Sequence, residues 1–395
     1  MTDLIPRLLI HNVRVYGPDL VASPGWLLTE GRSIAGYGHG RPPQYPASVP
    51  MREIDGGGRH LLPGFIDLHV HGAAGHEVMD ATVTGLQAMA RLYARHGVTG
   101  FLPTTWTAPP EATLRAIDAI AAVVGPVAGG ATILGAHLEG PYLNVAKCGA
   151  QDPRAIRRAD PAETSVLLGR HVIRLLALAP EYEENLILLD ECVRRGVTVS
   201  IAHTGATYEQ VLVAAERGAR QATHTFNAMT GFGHREPGVA GAVLALPQIR
   251  CELIADTIHV HPAAIRVLVA AKGTYGVILI TDAMRATGMP EGDYAIDSRT
   301  VTVRNGQARL PDGTLAGSVL TMDVALRNVA VATGLSLTDL GPMTSLNAAR
   351  AIGLSATKGS LEVGKDADLV LLDDQFEVAL TVAEGAVAYD GGAER

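Results

Sequence analysis

The sequence predicts an α/β fold: a TIM-type (β/α)8 barrel of parallel strands, flanked by a small β-sandwich built from both termini. Three observations predict it. From residue 64 onward, apolar β-branched runs alternate with amphipathic helical patterns, and that alternation builds a parallel sheet with helices packed outside. Eight such runs precede residue 283, and eight strands close a barrel. Short β patterns without helices fill residues 8 to about 60 and return in the C-terminal tail; a lone C-terminal hairpin is marginal, so the tail is expected to join the N-terminal sheet.

Taken in order, LLIHNVRVYG and GWLLTEGRSIAGYG, which folds back at Glu30-Gly31-Arg32, and then REIDGGGRHLLPG read as short strands. The barrel strands are expected at FIDLHVH, VTGFLPTT, TILGAHLE, VIRLLALAPE, VTVSIAH, RQATHT, RCELIADTIH and YGVILITD. Between them, TVTGLQAMARLYARHG, EENLILLDECVRRG, YEQVLVAAERGA and PAAIRVLVAAKG carry helical periodicity, several of them closed by glycine. After Asp282 a β excursion is expected over 291–315, then helices near 320–332 and 337–351. The tail returns to β pattern around a turn at Asp373 and Asp374. The expected division is a sandwich of residues 1–60 plus 356–395 and a catalytic barrel of residues 61–355. No internal repeat is visible.

Composition narrows the function class. Of 395 residues, 47% are hydrophobic and 18% charged, enough apolar material for a core that folds without staples. A net charge of -8 argues against a nucleic-acid-binding surface, so an anionic substrate must find local positive charge. Cys148, Cys192 and Cys251 are odd in number and widely spaced, which encodes neither a disulfide framework nor a cysteine-rich zinc site and fits a reducing compartment. The stretch MTDLIPRLLIHNVRVYG lacks a signal-peptide pattern, and no run approaches the roughly 20 apolar residues that span a bilayer. A cytoplasmic protein without membrane or nucleic-acid partners is expected.

The polar residues that interrupt the apolar runs point to chemistry. His69 and His71 lie two apart in PGFIDLHVHG, so both imidazoles leave one face of a strand and can share an ion. Imidazole is the commonest protein ligand for zinc and related ions. Glu139 follows the third strand, His203 the fifth, His224 the sixth and Asp282 the eighth. Barrel enzymes assemble their sites from the C-terminal ends of strands, and metal-competent side chains at five such ends are hard to explain as packing. His137 shares a face with Glu139 and reads equally as a supporting residue or as a barrel-interior histidine. His11, His76, His96, His171 and Cys148 read as ordinary.

The motifs LLPGFIDLHVHG, HLEGPYLN, IAHTGAT, THTFNAM, HREPG, IADTIHV, ITDAM and LAGS, in this order over nearly the whole chain, closely resemble the N-acetylglucosamine-6-phosphate deacetylases of the amidohydrolase superfamily. The resemblance implies a metal-dependent barrel with a flanking sandwich, forming a homodimer, that hydrolyses the acetamide of a phosphorylated amino sugar. It places Glu139, His203 and His224 on the principal metal ligands, Asp282 on the acid/base, and His69 and His71 on positions that complete a second metal site in many relatives. For substrate it implies Ala150, Asn227, Ala228, Arg235, Asp256 through His259, and Leu315, Ala316 and Gly317. Relatives commonly read KGAH where this chain reads Cys148-Gly149-Ala150-Gln151, so Gln151 stands in place of a histidine.

The chemistry asks for the same parts. Amides resist neutral water, and a divalent ion, zinc, iron or similar, bound as one or two per chain, lowers the pKa of water to about 7. A carboxylate such as Asp282 beside that water can accept its proton and return it to the departing amine. Arg235 with His259 are the candidates for phosphate recognition, since no glycine-rich phosphate loop is present. The expected reaction is hydrolysis of N-acetyl-D-glucosamine 6-phosphate to D-glucosamine 6-phosphate and acetate. Two alternatives stand: an N-acetylgalactosamine-6-phosphate deacetylase or other amidohydrolase, and a non-catalytic barrel kept as a binding module.

Overall fold

The computed structural model describes residues 7–18, 21–44 and 50–392; the first six residues of the N-terminal stretch lie outside them. The barrel strands are Phe65–Val70, Val98–Pro103, Thr132–Ile133 continued by Ala136–Glu139, Ile173–Leu178, Thr198–Ile201, Gln221–Ala222, Arg250–Ile254 and Val277–Ile280. They pair in parallel in chain order. A parallel bridge between Thr104 and His137 joins the second strand to the third, and one between Val70 and Ala283 brings the eighth back to the first. The Asp282 N–H donates to the His69 carbonyl at 2.9 Å across that closing seam, which sets two of the predicted site residues side by side.

Burial explains why these runs are apolar throughout. Phe65–Val70, Val98–Pro103 and Val277–Ile280 are buried at every position, because a barrel strand meets the interior on one face and helices on the other. Helix Val83–Arg95 buries Leu86, Met89, Ala90, Tyr93 and Ala94 on one stripe, and the Thr82 side chain caps it by accepting from the Gly85 N–H. Helix Tyr208–Arg217 opens with a capping box of Thr207 and Gln210 and stops at left-handed Gly218.

Two expected elements are interrupted. The third strand breaks at Gly135, where φ is 143° and a Cβ would lie 2.6 Å from the Val172 carbonyl oxygen; only glycine lets the backbones pass that close. The helix expected over 337–351 is two helices, Leu337–Thr344 and Leu346–Ala351. At the break the Ser345 hydroxyl bonds the Gly341 carbonyl at 3.2 Å, taking the acceptor that the helical backbone would use.

The terminal segments share one sheet. Leu369–Leu372 lies antiparallel to His60–Pro63, with Leu371 opposite Leu61, and the sheet runs on through Arg7–Tyr16, Val21–Glu30 and Ser33–His39. Leu8, Ile10, Leu27, Leu61, Leu369, Leu371 and Val382 form its own core. The excursion after Asp282 is a three-stranded antiparallel sheet, Gly292–Ile296, Arg299–Arg304 and Gln307–Arg309. Its apolar face, Ile296, Val301, Val303 and Ala308, packs with Trp106, Ala150, Met284 and Ala316, so this sheet stands over the C-terminal mouth of the barrel. Among the described residues no helix is long and apolar enough to cross a membrane.

Candidate metal centre and active site

Glu139 sits at the middle of four imidazoles. Its Oε1 lies 3.2 Å from Nε2 of His203 and 3.2 Å from Nε2 of His224, while Oε2 lies 3.2 Å from Nε2 of His71 and 3.5 Å from Nε2 of His69. His69, His71 and Glu139 each place a ligand atom within 4.8 Å of the others, and so do Glu139, His203 and His224. All five side chains are buried. The geometry is that of one carboxylate between two histidine pairs.

The hydrogen-bond partners of the imidazoles fit this cluster to a cation. Nδ1 of His71 is 3.2 Å from the Thr104 carbonyl oxygen and Nδ1 of His203 is 2.8 Å from that of Lys147. A carbonyl can only accept, so each Nδ1 carries a proton, and in the neutral ring that a cation would require each Nε2 presents a lone pair. At His69 the Glu252 carboxylate, 3.1 Å from Nδ1, imposes the same tautomer. The Nε2 atoms of His69 and His71 are then 3.2 Å apart, two lone pairs facing each other beside two carboxylates, an arrangement that a divalent cation satisfies.

Electrostatics agree. Burial disfavours the imidazolium, yet the Glu139 and Asp282 carboxylates outweigh it and raise the pKa of His69 well above its usual value and that of His71 above it. Burial alone would raise the two carboxylates, but the histidines hold Glu139 well below the ordinary range and Asp282 at about 2. The site favours positive charge at its centre and ionised carboxylates around it.

The strand ends that deliver these side chains turn sharply. His203, His224 and Asp282 have φ values of 42°, 30° and 52°, in the left-handed region where His and Asp are enriched. Asp282 Oδ1 is buried without a hydrogen-bond partner and lies 3.2 Å from Nε2 of His71. His71 is stacked on Trp106 with ring centroids 3.7 Å apart.

These groups floor a cavity of about 310 Å³ lined also by Ala150, Gln151, Asn227, Ala228, His259, Leu315 and Gly317. Five substrate residues implied by the resemblance, Arg235, Asp256, Thr257, Ile258 and Ala316, are not in that lining. Ala316 is fully buried in the core beneath the excursion sheet. Asp256 holds the strand-seven loop, accepting from the N–H groups of Ile258 and His259 and from Nδ1 of His259 at 2.6 Å. Arg235 is exposed and lines a separate surface depression with Tyr208, Thr230 and Glu236.

The structure adds two residues, Glu252 and Arg309, to the reading from sequence and gives Gln151 its partners. Glu252, fully buried, accepts from His69 Nδ1, from Gln221 Nε2 at 2.5 Å and from the His224 N–H at 3.2 Å, so one carboxylate fixes both histidine pairs; a charged residue inside the apolar run RCELIAD was its trace in the sequence. Gln151 donates from Nε2 to Glu139 Oε2 at 2.6 Å and accepts the Thr107 N–H at 2.7 Å, which commits its amide to the ligand rather than to a substrate. Arg309 enters the cavity lining from the excursion sheet.

Comparisons with known proteins match this picture. The sequence profile of the Amidohydrolase family covers residues 60–388. An N-acetylglucosamine-6-phosphate deacetylase of Lysinibacillus sphaericus is 40% identical over 85% of this chain and 87% of its own length. An N-acetylgalactosamine-6-phosphate deacetylase of Escherichia coli O157:H7 is 38% identical over 93% of this chain and 97% of its own. The crystal structure of N-acetylglucosamine-6-phosphate deacetylase from Pasteurella multocida superposes with a TM-score of 0.91 at 32% identity, over 96% of this chain and 99% of that one. The chain belongs to the amidohydrolase family, among its N-acetylglucosamine-6-phosphate deacetylases.

Proposed function

We propose that the chain hydrolyses N-acetyl-D-glucosamine 6-phosphate to D-glucosamine 6-phosphate and acetate, with the amide held at the floor of the cavity. The observation that carries this reading is the meeting of Glu139, two histidine pairs and an unpartnered Asp282 oxygen at one barrel mouth. A divalent ion such as zinc or iron, when bound, supplies Lewis acidity that polarises the acetyl carbonyl and activates water at neutral pH. His203 and His224 with Glu139 would hold a first ion, and His69 and His71 with the same Glu139 would hold a second. Asp282, ionised at neutral pH, takes the proton of the attacking water on Oδ1 and returns it to the amine nitrogen. Asn227, Ala228, His259, Leu315 and Gly317 position the sugar.

The assay is acetate release from the gluco and galacto 6-phosphates with defined metals. Turnover of neither substrate would overturn the reading. Preference for the galacto epimer would install the second reading, which the relative from Escherichia coli O157:H7 favours. A non-catalytic module has less support, because the whole ligand set is retained.

Ion count tests the paired-histidine reading. Metal-free protein titrated to full activity is expected to take up two ions per chain, falling to one in a His69→Gln, His71→Asn double variant with a large loss of turnover. A plateau at one ion in the unaltered protein, with activity complete, would reject a binuclear site.

We further propose a cytoplasmic homodimer in which Arg235 reaches the phosphate in the neighbouring subunit's cavity. Supporting it are the three free cysteines and the exposed segment around Arg235, where Phe232 is 68% exposed. The division into a sandwich of residues 1–60 plus 356–395 and a barrel of 61–355 belongs to the same reading. Arg235→Ala is expected to raise KM and to cut the ratio of kcat/KM between the phosphorylated and unphosphorylated sugars. An unchanged ratio would leave Arg235 outside substrate recognition.

A further inference from the structure

Three carboxylates, Glu139, Asp282 and Glu252, touch the imidazoles. The first two line the cavity, and Glu252 does not. It belongs to the strand Arg250–Ile254, in which Cys251 turns outward, its Sγ 3.8 Å from the Val243 carbonyl oxygen of the helix Gly238–Ala245. Alternation along the strand then points Glu252 and Ile254 into the barrel. Ile254 lines the cavity, so Glu252 lies one layer beneath the mouth. Branched apolar residues ordinarily fill such a layer, and a carboxylate out of reach of water there is unfavourable unless donors surround it.

Three donors do so. Oε2 receives the Nδ1 proton of His69 at 3.1 Å and the His224 N–H at 3.2 Å, and Oε1 receives Nε2 of Gln221 at 2.5 Å. The contact with His69 differs in kind from those of the other rings. Nδ1 of His71 and Nδ1 of His203 face the main-chain carbonyls of Thr104 and Lys147, which no side-chain substitution removes, and Nδ1 of His224 has no hydrogen-bond partner. His69 alone takes its tautomer from a side chain. A carboxylate that accepts Nδ1–H fixes the ring and makes Nε2 a more basic ligand, and its charge, one ring away, favours a cation there. At His224 the same carboxylate meets only the backbone N–H, so that ring is not gripped directly.

We propose that Glu252 is a positioning residue that sets the affinity of the cation held by His69 and His71, which rests on the two-ion reading above. The seventh strand, and not the ligands alone, then decides whether a chain carries one ion or two.

The test titrates metal-free protein with buffered free zinc and counts ions per chain in the unaltered protein, Glu252→Gln and Glu252→Asp, with melting of the metal-free proteins measured alongside. The binding step that disappears in the His69→Gln, His71→Asn double variant marks the pair. In Glu252→Gln, whose amide keeps the shape but not the charge and cannot accept from all three neighbours, that step is expected to weaken about 10- to 100-fold, the cost of losing a group that orients a ligating histidine. The other step should change far less. Glu252→Asp, which keeps the charge one methylene further back, should recover part of the loss. Turnover of Glu252→Gln should return as free zinc is raised, which a misfolded barrel would not allow. Equal weakening of both steps, or no change in either, would overturn the role of Glu252 while two ions in the unaltered protein leave the two-ion reading standing. A single ion in the unaltered protein would overturn that reading and the role of Glu252 with it. If Glu252→Gln does not fold, Glu252→Asp decides, since an unchanged affinity with the carboxylate drawn back would likewise reject the role.

Discussion

His203→Asn and His224→Asn are each expected to lower both the metal retained by the protein and its turnover, the latter by at least about 10²-fold. The lower bound comes from supporting residues: removing a group that merely orients a ligand costs about 10- to 100-fold in metal affinity or activity, and these two histidines present Nε2 directly to Glu139 at 3.2 Å. Asparagine is short of that position by more than a bond, and its amide is a poor metal ligand. The measurements are metal per chain after equilibration in a buffered-ion solution and acetate release on the same sample. A melting temperature read on the metal-free proteins separates ligand loss from misfolding. Full metal content with full activity in either variant would remove that histidine from the centre.

The proposed ligand set was legible in the sequence because each candidate ligand interrupts or ends an apolar run. HVH, HLE, IAH, THT and ITD all place a polar side chain where a buried barrel strand reaches its C-terminal end, and the strands form over those runs. Such local exceptions to an apolar pattern survive any error in register or length. Gln221–Ala222 is only two residues long, yet His224 still arrives at the mouth, since closure of the barrel rather than strand length sets its position.

What the sequence left hidden depends on contacts between distant segments. Glu252 is 183 residues from His69, and its partnership with Nδ1 exists only because the seventh strand closes toward the first. The commitment of Gln151 to Glu139 and the Thr107 N–H depends on how one loop packs under another. The two arginines show the limit most clearly. Arg235 lies in a motif and Arg309 in a stretch that reads only as β excursion, but the fold turns the second into the cavity and the first to the surface. Periodicity carries no information on which way a hairpin folds over a barrel.

Asp282→Asn is expected to reduce kcat by about 10² or more, the range for a lost general acid/base, while metal content and KM stay close to those of the unaltered protein. The substitution keeps the size and planarity of the side chain, so the change falls on proton transfer. The Asp282 carboxyl is held at about 2, since His69 and His71 outweigh the effect of burial, and so it is ionised at neutral pH and able to accept a proton, which an amide cannot do. Its Oδ1 has no hydrogen-bond partner, which leaves that oxygen available to a water in the cavity. It also lies 3.2 Å from Nε2 of His71, close enough for the carboxylate to serve as a ligand instead. The two roles separate in the same experiment. Lost turnover with metal retained assigns proton transfer, lost metal with lost turnover assigns coordination, and a kcat within a few-fold of the unaltered protein would show that Asp282 carries neither. The first pattern is expected, because His203, His224 and Glu139 would already supply three ligands and a hydrolytic centre must keep an open position for water and substrate.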